Sequence, residues 1–108
     1  MNAKMAQFDV FVNPLSSSRR AYPFLVTMQS DFAVNGDEQL VAPIASLDYG
    51  TSASRRVTPL VALQGNNHVV LVPKLTVMRS RDLMEKVSSV ASARNELLAA
   101  IDYLFFGL

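Results

Sequence analysis

Side chains that could carry out chemistry are few in this sequence. The chain of 108 residues contains no cysteine and one histidine, His68. A Cys–His catalytic pair and a zinc site built from these residue types are therefore excluded. The sequence also contains neither a P-loop nor a G-x-G-x-x-G pattern. We expect His68, which follows G65-N-N67, to be an ordinary residue beside a turn.

Charged residues form two further candidates. Asp31, Asp37 and Glu38 surround one predicted loop and could hold a cation, but solvated carboxylates are the favoured interpretation. Six arginines could grip RNA phosphates: Arg19, Arg20, Arg55, Arg56, Arg79 and Arg81. Ten basic residues are nearly balanced by nine acidic ones, which favours a role in solubility and strand-edge protection. We expect no metal, no cofactor and no sequence-specific binding of nucleic acid.

The last seven residues, D102-Y-L-F-F-G-L108, are the third candidate. Chain termini are usually polar and poorly ordered unless they are packed against something. Two phenylalanines and a leucine at this position predict one of two arrangements. Either the end is packed into the core of its own domain, or it forms a surface that binds a partner.

Length and composition predict one globular domain. Half of the residues are apolar and 18% are charged, a composition that argues against disorder. The N-terminal segment has no apolar stretch typical of a secretory signal. No apolar run approaches the roughly 20 residues needed to cross a bilayer. We therefore expect a cytoplasmic protein that does not bind membranes.

Strand patterns occupy the first two-thirds of the chain. Residues 7–12 alternate in the way expected for a half-buried strand, and residues 40–44 form a short strand bent at Pro43. We expect a hairpin from residues 57–64 and 68–72, joined by a loop of about three residues. Altogether five to seven short strands are predicted, with the others at 22–29 and 75–78 and a further candidate at 82–85.

A helix is predicted at about residues 90–106, where the period of the apolar residues changes. Ser89 or Ser92 is the expected N-cap, and Gly107 stands where a left-handed C-cap residue would stand. One apolar stripe faces the core: Val90, Ala93, Leu97, Ile101 and Leu104. This order of elements indicates a compact β-barrel or rolled sheet with one helix packed at its end.

The helix geometry separates the two terminal phenylalanines. Phe105 lies four residues beyond Ile101 and is compatible with the core-facing stripe. Phe106 is rotated by about 200° from Leu104, at about 100° per residue. The core therefore gives Phe106 no partner, and this ring is a candidate partner-binding surface.

Several stretches of the sequence together resemble the CcdB toxins of bacterial toxin–antitoxin modules. They are Q7-F8, F24-L-V-T-M-Q-S-D31, L40-V-A-P-I44 and F105-F-G-L108. The resemblance extends from Met5 to the end of the chain, so residues 5–108 are expected to form a single toxin domain. Residues 1–4 are then an extra and flexible stretch, and Met5 is a candidate for the natural start.

The resemblance implies a mainly β protein with a small SH3-like β-barrel and a C-terminal α-helix, acting as a homodimer. It further implies a toxin, not an enzyme, that binds the DNA gyrase A subunit and traps the covalent gyrase–DNA cleavage complex. A CcdA-like antitoxin, with a C-terminal half disordered when free, would neutralise it. Residues matching the gyrase-contacting end are Phe106, Gly107 and Leu108, with Phe105 and Asp102 in support.

The antitoxin is expected to cover a separate region. Phe32 and Ala33, just after Q29-S-D31, match a patch that neighbours the gyrase-contacting end in the family. We add the loop around Arg19 and Arg20 to this region as a hypothesis.

One departure from the family concerns the terminal aromatic residue. The family pattern is Trp-Gly-Ile, whereas this chain has Phe106, Gly107 and Leu108. Phenylalanine keeps a π-face for an arginine of gyrase, but it lacks the indole N–H and is the weaker cation–π partner.

Two alternative functions remain at this point. MazF/Kid endoribonuclease toxins are similar to CcdB in fold and share the pattern around P23-F-L-V26 and V41-A-P-I44. They carry an arginine directly before the equivalent of Pro23, where this chain has Tyr22, although a shift of register could bring Arg20 into that role. The other alternative is an inactive CcdB-like interaction module that has lost its target.

Overall fold

The computed structural model describes residues 5–30, 36–48 and 54–107. Within these ranges it contains seven β-strands, three 3-10 turns and one α-helix. The strands and the helix are β1 (Asp9–Val12), β2 (Phe24–Thr27), β3 (Glu38–Ser46), β4 (Leu60–Leu63), β5 (Asn66–Val70), β6 (Thr76–Arg79), β7 (Lys86–Ser89) and α1 (Arg94–Phe106). The 3-10 turns lie at Val72–Lys74, Ser80–Asp82 and Ala91–Ala93.

All seven strands belong to one antiparallel sheet, which curls into a half-barrel. Six of them follow the order β4-β5-β3-β2-β1-β7, while β6 pairs with β3 beside this path. Helix α1 packs against the sheet through buried apolar residues. The prediction of a mainly β, barrel-like fold with a C-terminal helix is confirmed.

Strand β3 is longer than the sequence predicted. It runs without interruption through Pro43 because it changes partner there: Glu38–Val41 pairs with β6, and Ile44–Ser46 pairs with β5. The carbonyl of Pro43 accepts a hydrogen bond from the N–H of Leu71 at 2.9 Å. In a strand the N–H and C=O of one residue point to the same side, so the N–H that Pro43 lacks would also have pointed toward this side of β3. Because β3 changes partner at this position, few ladder hydrogen bonds are lost.

The central strands β1, β2 and β3 are largely buried on both faces. One face packs on α1 in a cluster that includes Val10, Val26 and Leu97. On the other face, Phe11 and Leu25 pack with residues such as Leu83, which belongs to the segment following β6. The predicted strand in residues 7–12 is found as β1, but the expectation that it is half-buried is wrong, because a distant segment covers its second face.

Asp9 is a buried carboxylate in β1, and each of its oxygens has a polar partner. Its side chain is buried, and its Oδ1 lies 3.2 Å from Nζ of Lys86 on the neighbouring strand β7. Its Oδ2 accepts a hydrogen bond from the N–H of Ala6 at 2.8 Å. A carboxylate in a largely apolar interior is stable only with such partners.

Phe8, directly before β1, has a positive φ of 70°. A bulky residue rarely adopts this conformation. Its N–H donates to the carbonyl of Thr27 at 2.7 Å, and its carbonyl accepts from the N–H of Val90 at 2.9 Å. These bonds and the complete burial of its ring hold the backbone in this shape.

The hairpin between β4 and β5 is tighter than predicted. Gln64 and Gly65 alone form the loop, with φ values of 52° and 78°. Two positive φ values match the primed turn that suits the right-handed twist of paired strands. Asn66 and Asn67 consequently belong to β5, and the predicted three-residue loop is wrong.

The chain before α1 also differs from prediction. Residues 82–85 form no strand. The strand of this region is β7, which begins at Lys86. The α-helix begins at Arg94, after the 3-10 turn Ala91–Ala93, instead of near residue 90. The N-cap residues are Val90 for that turn and Ala93 for α1, and neither provides a side-chain cap, so the predicted caps Ser89 and Ser92 are wrong. The Oγ of Ser89 instead accepts the N–H of Ala91 at 3.2 Å.

No helix among the described residues has both the length and the apolar character required to span a membrane.

Candidate partner-binding surface

Helix α1 is anchored to the sheet by its middle turns. Leu97 and Ala100 are fully buried, and Ile101 is half-buried against the same cluster. The N-terminal end is held by Arg94, whose guanidinium donates to Oε1 of Gln7 at 2.8 Å. The helix is therefore fixed in direction before its last turn begins.

The last turn of α1 exposes three large apolar side chains. Leu104 is 40% exposed, Phe105 61% and Phe106 71%. The prediction that Phe106 lies outside the buried stripe is confirmed, but the assignment of Leu104 to the core is wrong, and Phe105 does not share the buried stripe. Leu104 lies three residues beyond Ile101, about 4.5 Å further along the helix axis, where the sheet no longer covers the helix.

The two phenylalanine rings lie side by side at this end. Their centroids are 6.5 Å apart, and the ring planes are inclined by 51°. This is within the range of favourable aromatic pairs. Together they form a contiguous aromatic surface at the end of a rigid helix, which we call the helix-end surface (Leu104, Phe105, Phe106 and Gly107).

Gly107 ends the helix as the sequence predicts. Its φ of 71° and ψ of 18° are left-handed, and its N–H donates to the carbonyl of Tyr103 at 3.0 Å. A Cβ atom at this position would meet nothing within 4 Å. Glycine is therefore favoured here because of the left-handed backbone conformation, and not because a side chain would clash with neighbouring atoms.

Arg56 and Tyr103 form a contact that the sequence did not reveal. The guanidinium carbon of Arg56 lies 3.8 Å from the centroid of the Tyr103 ring. Tyr103 is half-buried, and Asp102 beside it is exposed. Because the contact joins residues 47 positions apart, no local pattern could have predicted it.

Arg19 and Arg20 lie in the turn before β2, and both are exposed. The Nε of Arg19 donates to the carbonyl of Asn13 at 2.8 Å, so this side chain helps to hold its own loop. No ion pair or hydrogen bond of the Arg20 guanidinium is found within the described ranges. Arg20 is thus the better placed of the two to meet a carboxylate of a partner.

Phe32, Ala33 and Leu108 lie outside the described residues. Along the chain, Phe32 and Ala33 follow the C-terminal end of β2, whereas Arg19 and Arg20 precede its N-terminal end.

His68 occupies a structural position. Its Nδ1 lies 3.0 Å from the carbonyl of Asn66, and its ring packs edge-on against Phe24 with centroids 5.6 Å apart. In residues 5–30, 36–48 and 54–107, no three acidic or histidine side chains come together as a possible metal site. Nothing in this part of the chain brings His68 together with a second catalytic group.

The position that would carry the nuclease arginine is also filled. Tyr22 is half-buried against Ala45, Val69 and Leu71, and its N–H donates to the carbonyl of Ser18 at 2.8 Å. The contact with this apolar cluster fixes Tyr22 in its register. The geometry therefore disfavours the shift that would bring Arg20 into its place.

Comparison with known proteins gives one family. The model of the CcdB protein family matches residues 7–107, nearly the whole chain. A search among curated proteins gives no match.

Proposed function

Since the chain belongs to the CcdB family of toxin–antitoxin toxins, we propose that it poisons DNA gyrase. In this proposal the toxin binds the gyrase A subunit and stabilises the covalent gyrase–DNA cleavage complex. It acts by binding and carries out no catalysis of its own. Its place of action is the cytoplasm, where gyrase works on DNA.

The exposure of Phe106 is the observation that carries the proposal. Phenylalanine side chains are usually buried in soluble domains, whereas that of Phe106 is 71% exposed. Here it stands on a helix whose middle turns are locked into the core, so binding a partner costs little further loss of conformational entropy. Large apolar area on a rigid support is the usual composition of a binding hot spot.

The neighbours of Phe106 support the same role. Phe105 extends the apolar area, and the exposed carboxylate of Asp102 lies one helical turn before Phe106. The left-handed conformation of Gly107 ends the helix directly after Phe106. We assign Phe106, Gly107 and Leu108 to the gyrase contact, with Phe105 and Asp102 in support.

The proposal includes a homodimer. A two-fold dimer would present two helix-end surfaces related by symmetry, which suits the paired A subunits of gyrase. A dimer would also account for exposed apolar side chains beside Phe106, such as Leu104. Analytical ultracentrifugation at micromolar concentration tests this part, and a monomer of 11.9 kDa would contradict it.

A CcdA-like antitoxin is the proposed neutralising partner. Arg20 is exposed and Arg19 is held on its loop, so both can receive carboxylates from an acidic segment. Phe32 and Ala33 are assigned to the same interface. Hydrogen exchange with and without an antitoxin peptide should show protection at residues 19–20 and 32–33, and no protection there would refute the assignment.

A gyrase cleavage assay tests the main proposal. The wild-type protein should increase the amount of linear, gyrase-linked DNA, and Phe106→Ala should abolish this effect without lowering Tm. Met84→Ala is the matched control, because Met84 is also apolar and highly exposed but lies far along the chain, before β7. Poisoning that is equal in wild type and Phe106→Ala would overturn the assignment of the site.

The terminal residue pattern gives a second arm of the same assay. Phe106→Trp restores the larger ring with its indole N–H, which is the better cation–π partner. We expect it to poison gyrase at a lower concentration than the wild type.

A further inference from the structure

A groove of about 520 Å³ lies between β4 and the start of α1. One side is formed by Pro59 to Ala62, and the opposite side by the segment before α1 (Ser89, Val90, Ser92 and Ala93) and by the exposed face of α1 at Glu96 and Ala99. Strands β4 and β7 are the two ends of the sheet order. The groove therefore lies at the seam where the half-barrel is open, and it contains none of the residues assigned to the gyrase contact.

The outer edge of β4 is not paired with any other strand of the described part of the chain. Leu63 pairs with Asn66 across the two-residue turn, and the N–H of Val70 donates to the carbonyl of Pro59 at 2.9 Å. Hydrogen-bonded and non-hydrogen-bonded pairs alternate along antiparallel strands. These two pairs therefore show that every second residue of β4, counted from Pro59 before the strand, is hydrogen-bonded to β5. Leu60 and Ala62 then direct their N–H and C=O groups away from β5, toward the free edge.

The side chains of β4 alternate between buried and exposed. Val61 and Leu63 are buried in the core, whereas Leu60 is 49% exposed and Ala62 is also exposed. Exposed strand edges are templates for pairing with another chain unless charge or proline blocks them. In β4 itself no residue is charged, and Pro59 stands before the strand begins.

Two arginines also line the groove and are already held in place. The Nη1 of Arg55 donates to the carbonyl and the Oγ1 of Thr58, both at 3.3 Å. Arg56 lies over the ring of Tyr103. The lining contains one acidic residue, Glu96, so its two arginines give it a net positive charge. Pre-positioned guanidinium groups are suited to bind carboxylates.

We propose that this groove binds an extended, acidic peptide segment of another polypeptide, which adds as a strand to the free edge of β4. Its main chain pairs with the N–H and C=O groups of Leu60 and Ala62, and its carboxylates meet Arg55 and Arg56. About four residues suffice, because four strand residues span about 13 Å. The binding goes beyond the gyrase contact and does not depend on it.

Synthetic peptides test the proposal directly. The probe is a blocked hexapeptide of alternating glutamate and valine, and its control is the same peptide with lysine in place of glutamate. We expect the glutamate peptide to bind with at least about a tenfold lower Kd, the effect of one or two charge-assisted hydrogen bonds. Equal binding of the two peptides, or no binding of the glutamate peptide at millimolar concentration, would overturn the proposal.

A pair of substitutions at one position separates strand addition from other binding. Ala62→Pro removes an outward N–H without breaking the pairing with β5, and Ala62→Val keeps that N–H. We expect the first to weaken binding about tenfold and the second to leave it unchanged. If Ala62→Pro binds as well as Ala62→Val, strand addition is refuted.

Amide hydrogen exchange keeps the test decisive if Ala62→Pro fails to fold. In the wild-type protein the amides of Leu60 and Ala62 should exchange freely and should become protected when the glutamate peptide is added. Protection confined to other residues would contradict the proposal. The double variant Arg55→Gln, Arg56→Gln should lose the preference for the glutamate peptide over the lysine peptide. If the preference survives in this variant, the proposal is contradicted.

Discussion

The guanidinium of Arg56 lies over the ring of Tyr103, with 3.8 Å between the guanidinium carbon and the ring centroid. This contact joins the turn before β4 to the last turn of α1. Phe106 stands three residues after Tyr103, in the same last turn of the helix. The direction of the helix-end surface is therefore set by the buried middle of α1 and by this second, lateral support.

Arg56→Ala should lower the free energy of unfolding by about 0.5–1 kcal/mol, the usual range for an exposed cation–π contact. Tyr103→Leu should lower it by a similar amount, and the double variant should cost less than the sum of the two. Urea denaturation of all four proteins measures the coupling. Strictly additive losses would show that the contact contributes nothing.

Leu97→Ala and Leu104→Ala separate the buried part of the stripe from the exposed part. Leu97 is fully buried, so its truncation should cost about 2–5 kcal/mol through lost burial and a cavity. Leu104 is substantially exposed, and its truncation should cost less than about 0.5 kcal/mol in the monomer. Equal losses in thermal or urea unfolding would place Leu104 in the core after all.

Gly107→Ala should fray the end of α1. A side chain in the left-handed conformation costs about 1 kcal/mol, and nothing else crowds this position. Because the residue is near the end of the helix, we expect faster amide exchange at Phe106 and Gly107 with little change in Tm. Gly107→Asn is the control, since asparagine tolerates this conformation better. Identical exchange in both variants would contradict the conformational explanation.

Asp9→Ala should destabilise the fold more than Lys86→Ala does. Removing Asp9 leaves the N–H of Ala6 and the nearby ammonium group without their acceptor, at a cost of about 1–3 kcal/mol. Lys86→Ala leaves Oδ1 of the buried Asp9 without its cation but keeps the Ala6 hydrogen bond to Oδ2. Because the Lys86 side chain is more than half exposed, its truncation admits water to Oδ1, and the loss should be smaller than that of Asp9→Ala. Chemical denaturation compares them, and the reverse order would refute the role of the Ala6 hydrogen bond.

Several elements could be predicted from the sequence because their cause is local. The strands at 22–29 and 75–78, the C-terminal helix and its end at Gly107 follow from residue type and spacing, and the structure places β2, β6 and α1 there. The exposure of Phe106 follows from the angle between helical residues. The errors lie at boundaries, such as the start of α1, where a 3-10 turn replaced the predicted first turn.

By itself, the sequence determined which segments prefer strand or helix, and that one aromatic ring would lie outside the helix's apolar stripe. Only the tertiary structure decided how far that stripe is covered, so that Leu104 and Phe105 are exposed with Phe106. It also decided that β1 is buried on both faces and that Arg56 meets Tyr103. Periodicity arises from the covalent geometry of neighbouring residues, whereas burial depends on segments that are distant in the chain and adjacent only after folding.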